Sequence, residues 1–276
     1  MTISEWLAEI VRKLRASGID SARLDAELIL AHALGKSREW LAAHSDKIVA
    51  VNTAVDLVER RLAREPFAYI LGKKEFYGRE FVVTPNVLIP RPETEQVIEI
   101  VKKLFRKDSQ PIILDVGTGS GAIAITLALE LPDAQIFASD INDQALSVTK
   151  QNAKTLGAKV NFIKSDLLQN ICNKKFDIIV ANLPYVARDW KTSPETAYEP
   201  EIALFADDGG LKFIKKLLRQ TPEHLNPDGF LVLELDPRQS EDVKKIASKY
   251  GFVVADEQPF SLTLQSRRVP ETAKHK

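Results

Sequence analysis

The chain has 276 residues, and its 38 Lys+Arg balance 38 Asp+Glu, so no blanket positive charge is present to hold nucleic acid unspecifically. Hydrophobic residues at 45% are enough for a proper core, and the single cysteine, Cys172, excludes an internal disulfide framework and suits a reducing compartment. No apolar run reaches membrane-spanning length, and the first residues lack a charged region followed by an apolar stretch, so a soluble, cytoplasmic protein is expected. His32, His44, His224 and His275 are scattered, with none at ligand spacing from Cys172, and no metal is expected.

Residues 1–68 read as a helical bundle. Trp6, Ile10 and Leu14, then Leu24, Leu28 and Ala31, recur at the steps of amphipathic helices. Ser4 and Asp20 are candidate N-caps, and Gly18 and Gly35 candidate stops. A further helix is expected over 51–64, closed by Pro66. Residues 69–90 form a linker in which Phe76-Tyr77 and Phe81-Val82-Val83 flank Gly78-Arg79, the pattern of a β-hairpin. Two prolines then hold Pro90-Arg91-Pro92-Glu93-Thr94-Glu95 extended before a helix begins. Glu93 or Thr94 suits the positive end of that helix; a plain interdomain connection is the other reading.

Residues 91–276 alternate strands and helices. Strands are expected at 112–114, 135–139, 160–163, 176–181, 230–235, 252–255 and 262–266. Helices are expected at 122–131, 144–156, 210–225 and 240–250. The pattern predicts an α/β fold, a doubly wound and mostly parallel seven-stranded sheet with helices on both faces. The last two strands, close together, suggest an antiparallel edge hairpin, which points away from a simple dinucleotide fold.

Two stretches carry the chemistry. The turn Asp115-Val116-Gly117-Thr118-Gly119-Ser120-Gly121 follows a strand and opens a helix, where glycine lets backbone approach a ligand closely. It also fits the dinucleotide pattern, so the turn alone does not name a cofactor. Asp140, at the end of the second strand, can grip ribose hydroxyls or cap the next helix. Asp166 and Leu167 close the third strand, where an adenine ring could sit. Asn182-Leu183-Pro184-Tyr185 ends the fourth. An asparagine there offers one acceptor and two donors with no useful acid–base pKa, so it can orient a planar NH2 but is no general base. No His, Tyr–Lys pair or Cys stands out as the proton carrier a nicotinamide enzyme needs. A methyltransferase using S-adenosyl-L-methionine is therefore favoured over a nicotinamide oxidoreductase or a non-enzymatic binding module.

With these residues the chain resembles the release-factor glutamine N5-methyltransferases. The resemblance rests on Ser21-Ala22-Arg23-Leu24-Asp25-Ala26-Glu27-Leu28, Glu65-Pro66-Phe67-Ala68-Tyr69-Ile70-Leu71-Gly72 and Glu75-Phe76-Tyr77-Gly78. It rests further on Leu88-Ile89-Pro90-Arg91-Pro92-Glu93-Thr94-Glu95, the glycine turn, Glu199-Pro200 and Asp208-Gly209-Gly210-Leu211. The family's usual N-P-P-Y reads N-L-P-Y here. The resemblance implies methyl transfer from S-adenosyl-L-methionine, leaving S-adenosyl-L-homocysteine, to the glutamine amide of the Gly-Gly-Gln loop in peptide chain release factors 1 and 2. It implies that Asn182, Leu183, Pro184 and Tyr185 are catalytic and, with Arg91, bind the substrate. It implies a cofactor site of Asp115, Gly117, Thr118, Gly119, Ser120, Gly121, Asp140, Asp166, Leu167 and Asn182. The helical domain and hairpin would grip the release factor. A monomer is expected, with no membrane or direct nucleic-acid substrate. The alternatives are an adenine N6-methyltransferase on RNA or DNA, in which Tyr185 would stack a flipped base, and methylation of a ribosomal-protein glutamine.

Overall fold

Thr2 starts the first helix of the computed structural model, which describes residues 1–104 and 110–267. Helix α1 (Ile3–Ala16) opens with a capping box. Thr2 Oγ1 accepts the Glu5 N–H at 3.2 Å while Glu5 accepts the Thr2 N–H at 2.7 Å. The expected cap, Ser4, lies inside the helix. Likewise Ser21, not Asp20, precedes α2 (Ala22–Leu34), which stops at Gly35 in the left-handed region. The buried face of α2 also differs from the expected stripe. Ala22, Ala26, Ile29 and Leu30 face the core with Ala31, whereas Leu24 is 43% exposed and Leu28 half-buried. Apolar residues occur all round this helix, so spacing could not choose between faces.

The short α3 (Arg38–Ala43), capped by Ser37, was not anticipated, nor was α5 (Phe67–Leu71). Between them α4 (Asn52–Leu62) ends earlier than expected because Arg64 has a φ of 70°. These helices form one compact unit, Met1–Gly72, together with a returning segment, Thr192–Tyr198. Inside it the buried Arg61 pairs with the buried Asp25 at 2.7 Å. Glu195 of the returning segment accepts from Arg61 at 3.2 Å and from Arg64 at 2.9 Å, and Tyr198 Oη donates to the Ala63 carbonyl at 2.6 Å.

The second unit comprises Lys73–Lys191 and Glu199–Lys276. It starts with the hairpin of β1 (Lys73–Phe76) and β2 (Arg79–Val82), joined through Tyr77 and Gly78. Both of those residues have positive φ, as the tightest hairpin turns require. A 3-10 turn, Pro92–Thr94, leads into α6 (Glu95–Leu104). Then β3 (Ile112–Val116), α7 (Ala122–Glu130), β4 (Gln135–Asp140), α8 (Asp143–Leu156), β5 (Asn161–Lys164) and β6 (Phe176–Asn182) follow. The chain continues with α9 (Glu201–Leu204), α10 (Lys212–Gln220), β7 (Leu225–Glu234), α11 (Ser240–Lys249), β8 (Phe252–Gln258) and β9 (Ser261–Ser266). Helix α10 stops short of the expected 225 because Pro222, in the 3-10 turn Thr221–Glu223, has no N–H to continue it.

The large sheet has the order β5-β4-β3-β6-β7-β9-β8. The first five strands in that order run parallel, and β9 lies antiparallel to both neighbours. Two apolar clusters cover its faces. One includes Val97 and Ile98 of α6 with Ile123 and Ile125 of α7; the other includes Leu217 and Leu218 of α10 with Val243 of α11. The strand order reverses between β3 and β6, the switch point where open α/β sheets bind ligands. Both chemically loaded stretches leave the sheet there. Among the described residues no helix is long and apolar enough to cross a membrane. His275 lies outside those residues, and within them no cluster of His, Cys, Asp and Glu could hold a metal ion.

Candidate active site

Gly117 and Thr118 leave the end of β3 and both donate their N–H to the Ser139 carbonyl, at 2.8 and 2.9 Å. This ties the glycine turn to the adjacent end of β4. Gly117, Gly119 and Gly121 have φ of 74°, 57° and 84°, a region costly for side-chain-bearing residues. Gly121 has a second reason to be glycine. A Cβ there would stand 2.6 Å from both Ile125 Cδ1 and Thr149 Cγ2. The turn is braced from behind by Thr149 Oγ1 donating to the Gly119 carbonyl at 2.7 Å and by Asn152 Nδ2 donating to the Ser120 carbonyl at 2.9 Å.

Asp115 lies beneath this turn, 1% exposed. One oxygen accepts from Thr118 Oγ1 at 2.6 Å and the Ala124 N–H at 3.2 Å, and the other has no partner. Burial pushes its pKa up to about 7. Asp140 reaches further forward. Its Oδ2 accepts the Gly119 N–H at 3.0 Å and its Oδ1 the Asn142 N–H at 2.9 Å. Burial raises its pKa against those bonds. It is not the cap of α8, because Asn142 fills that role by accepting from the Gln144 N–H at 2.9 Å.

The strand register sets Val116 beside Ala181 and Asn182 beside Glu234, so the ends of β4, β3, β6 and β7 stand in a row. Asn182 Nδ2 donates to Thr94 Oγ1 at 3.2 Å. Leu183 is buried, and a Cβ on Gly117 would lie 3.1 Å from its Cδ2, so the two motifs touch. Tyr185 turns its hydroxyl towards Glu234 at 3.5 Å, and burial near that carboxyl raises its pKa. Its carbonyl accepts from Gln239 Nε2 at 2.9 Å.

These ends border one cleft of about 1070 Å³, open solvent at its mouth included. Gly117, Thr118, Gly119 and Ser120 line one wall with Asp140, and Asn182, Leu183 and Pro184 line another. Arg91, Asp166 and Leu167 also reach it. Asp115, Gly121 and Tyr185 stand behind the lining, where they shape the turns that form it. Arg91 is ion-paired with the buried Glu199, which also accepts the Ile89 N–H at 3.2 Å, fixing the proline segment as a wall. Asp166 pairs with Lys216 at 2.5 Å. Further lining residues lie outside the quoted motifs: Val87, Ile141, Asn142 and Phe213. Ile141 and Asn142 directly follow Asp140 and could have been found from that neighbour; Phe213, on α10, had no such signal.

The residues present suit S-adenosyl-L-methionine. The bare backbone of Gly117 and Gly119 leaves room for a ligand, the Asp140 carboxylate can accept from ribose hydroxyls, and Leu167 and Phe213 offer apolar surface.

Residues 5–72 match the family model described as PrmC N-terminal domain, and residues 95–199 match the methyltransferase small domain. The chain is 39% identical to a release factor glutamine methyltransferase of Koribacter versatilis, over 89% of this chain and 90% of that protein. It is 37% identical to a bifunctional methyltransferase of Rickettsia bellii over 92% of its own length, and it spans about half, 52%, of that longer relative. Among solved structures, a methyltransferase from Pyrococcus furiosus superposes with a TM-score of 0.52 at 21% identity, covering 70% of this chain and 90% of that one. That last likeness is one of fold.

Proposed function

The chain belongs to the release factor glutamine methyltransferase family, and we propose from that premise how its own residues carry the reaction. The product is a glutamine methylated on its side-chain amide nitrogen in a peptide chain release factor, within the Gly-Gly-Gln loop. The observation that carries this reading is the uncharged Asn182 amide at the switch point, on the same cleft as the glycine turn and Asp140. Nucleic acid as substrate receives no support from the balanced charge.

When bound, S-adenosyl-L-methionine would supply a methyl group from its cationic sulfur, and the amide nitrogen, cationic and acidic once methylated, would release one proton to the water at the open mouth of the cleft. Asp140 and the backbone of Gly117 and Gly119 would hold the ribose side of the cofactor, with Leu167 beside the adenine. A glutamine amide nitrogen is a poor nucleophile because its lone pair is delocalised into the carbonyl. Asn182 Oδ1 accepts one of its hydrogens and the Leu183 carbonyl the other. The nitrogen is thereby fixed in place and drawn towards tetrahedral geometry. Such positioning can lower a barrier by as much as about 7–11 kcal/mol. Pro184 walls the substrate side chain, and Tyr185 supports that wall from behind.

Incubating the protein with a labelled methyl donor and release factor, RNA or DNA, followed by mass spectrometry, tests the reading. Label is expected on the release-factor glutamine; label on adenine instead would reverse the assignment.

Two variants probe the parts separately. Asp140→Ala removes a charged acceptor for the ribose, so donor affinity measured by calorimetry should fall by about 10- to 150-fold, equivalent to about 1.5–3 kcal/mol. An unchanged affinity would leave Asp140 with its Gly119 and Asn142 bonds alone. Leu183→Pro keeps the carbonyl and is expected to keep turnover within about tenfold, with a lower melting temperature because a buried leucine is lost. Loss of turnover in a folded Leu183→Pro protein would move the role from backbone to side chain.

A further inference from the structure

Glu234 ends β7 and is 3% exposed, yet no basic side chain is paired with it among the described residues. An unpaired buried carboxyl is costly and calls for a reason. Its Oε1 receives a long bond from the Tyr185 hydroxyl at 3.5 Å, and its Oε2 has no close partner. Burial pushes its pKa up to about 7, against the opposing influence of the nearby Thr94 hydroxyl, Tyr185 hydroxyl and Asn182 amide. Register on the sheet places it directly beside Asn182. Thr94, whose hydroxyl also influences Glu234, accepts from Asn182 Nδ2 at 3.2 Å.

These contacts have a direction. Thr94 Oγ1 accepts from Asn182, so its own proton points to another acceptor, and the neighbouring carboxylate is one. A hydroxyl that donates to Glu234 keeps a lone pair for the Asn182 NH2. The two ends of an asparagine amide have nearly the same shape and differ only in who donates. Fixing the NH2 on Thr94 therefore leaves Oδ1 for the cleft. If the amide turned over, two donors would face the two donors of a substrate amide.

We propose that Glu234 is a positioning residue: through Thr94 it fixes which end of the Asn182 amide meets the substrate nitrogen. This rests on the role given to Asn182 above. A protonated Glu234 would donate to Thr94, and the Thr94 proton would turn to Asn182 and attract its oxygen away from the cleft. The active form is the carboxylate, so kcat rises with pH up to the Glu234 pKa and is level above it. The charged groups around Glu234 and Tyr185 are Glu93, Arg91 and Asp236. Arg91 is paired with Glu199 and Asp236 with Arg238, while Glu93 is exposed; Glu95, opening α6, accepts the Tyr77 N–H. Ser261, opposite Glu234 on β9, carries no charge.

The test is kcat on release factor at saturating donor, from about pH 6 to about pH 9, for the parent, Glu234→Leu, Glu234→Gln and Thr94→Val. Donor affinity by calorimetry reports whether each variant keeps its site. Glu234→Leu and Thr94→Val are expected to lose about ten- to a hundred-fold in kcat at the alkaline plateau, with donor affinity held. Glu234→Gln, whose amide oxygen can accept the Thr94 proton at any pH, is expected to recover part of that loss and to lack the acid limb. Parent-like kcat in Thr94→Val, or an unchanged acid limb in Glu234→Gln, would overturn the relay. A parent protein that labels no release factor would instead break the reading on which the relay depends.

Discussion

Asn182→Ala is expected to bind methyl donor nearly as the parent does and to lose about 10²–10³ in turnover on release factor, the cost of removing one preorganised transition-state hydrogen bond. On the proposed mechanism the bond from Oδ1 would strengthen as the substrate nitrogen becomes cationic, so its loss should fall on kcat more than on KM. Alanine also releases Thr94 Oγ1, which lines the same cleft, from its bond to Nδ2. Donor affinity therefore serves as the internal control. Turnover within a few-fold of the parent, in a folded variant at saturating donor, would sink the mechanism.

Gly210→Ala should be the most damaging small substitution in the second unit. Gly210 has a φ of 85°, and a Cβ there would lie 2.0 Å from the Tyr185 carbonyl oxygen and 2.4 Å from Gln239 Nε2. That pair is bonded at 2.9 Å, and Gln239 Nε2 also donates to the Gly209 carbonyl at 2.9 Å. Left-handed backbone costs about 1–2 kcal/mol in an L-residue, and the overlap adds about 1–3 kcal/mol. A loss of about 2–5 kcal/mol should lower the melting temperature by roughly 5–15 °C. Turnover should fall with it, because the displaced carbonyl belongs to the Asn-Leu-Pro-Tyr turn. Gly209→Ala is the matched comparison. Its φ is 64° but nothing lies within 4 Å of the added carbon, so only the backbone cost of about 1–2 kcal/mol applies. Equal melting temperatures for the two variants would show that the turn yields freely at Gly210.

The sheet was legible because its strands are short apolar runs with turn residues at each end, and the antiparallel pair of late strands could be read from their closeness. What spacing could not supply was the face of α2, whose alanines and leucines surround the helix, or the start of β7, which reaches back to Leu225 through Pro227. The cap of α1 shifted to Thr2 because only there does Glu5 stand three residues on to return the bond. In the cleft, the residues read from sequence come from short runs at strand ends, with Asp140 and Arg91 added singly. Phe213 reaches the cleft only through helix packing, and Glu234 comes beside Asn182 only through strand order. Glu199 was visible as part of a motif, but its grip on Ile89 and Arg91 depends on two segments far apart in the chain.

The return of Thr192–Tyr198 to the helical unit bears on how this protein can be recombined. Seven residues after the Asn-Leu-Pro-Tyr turn the chain enters a segment whose acid, Glu195, is matched to Arg61 and Arg64 of α4 and its following bend. No single cut separates the two units. A fragment beginning at Lys73 would carry Glu195 and Tyr198 without their partners, and a helical unit ending at Gly72 would leave two arginines one carboxylate short. A chimera that takes the helical unit from one family member must therefore take this seven-residue graft as well.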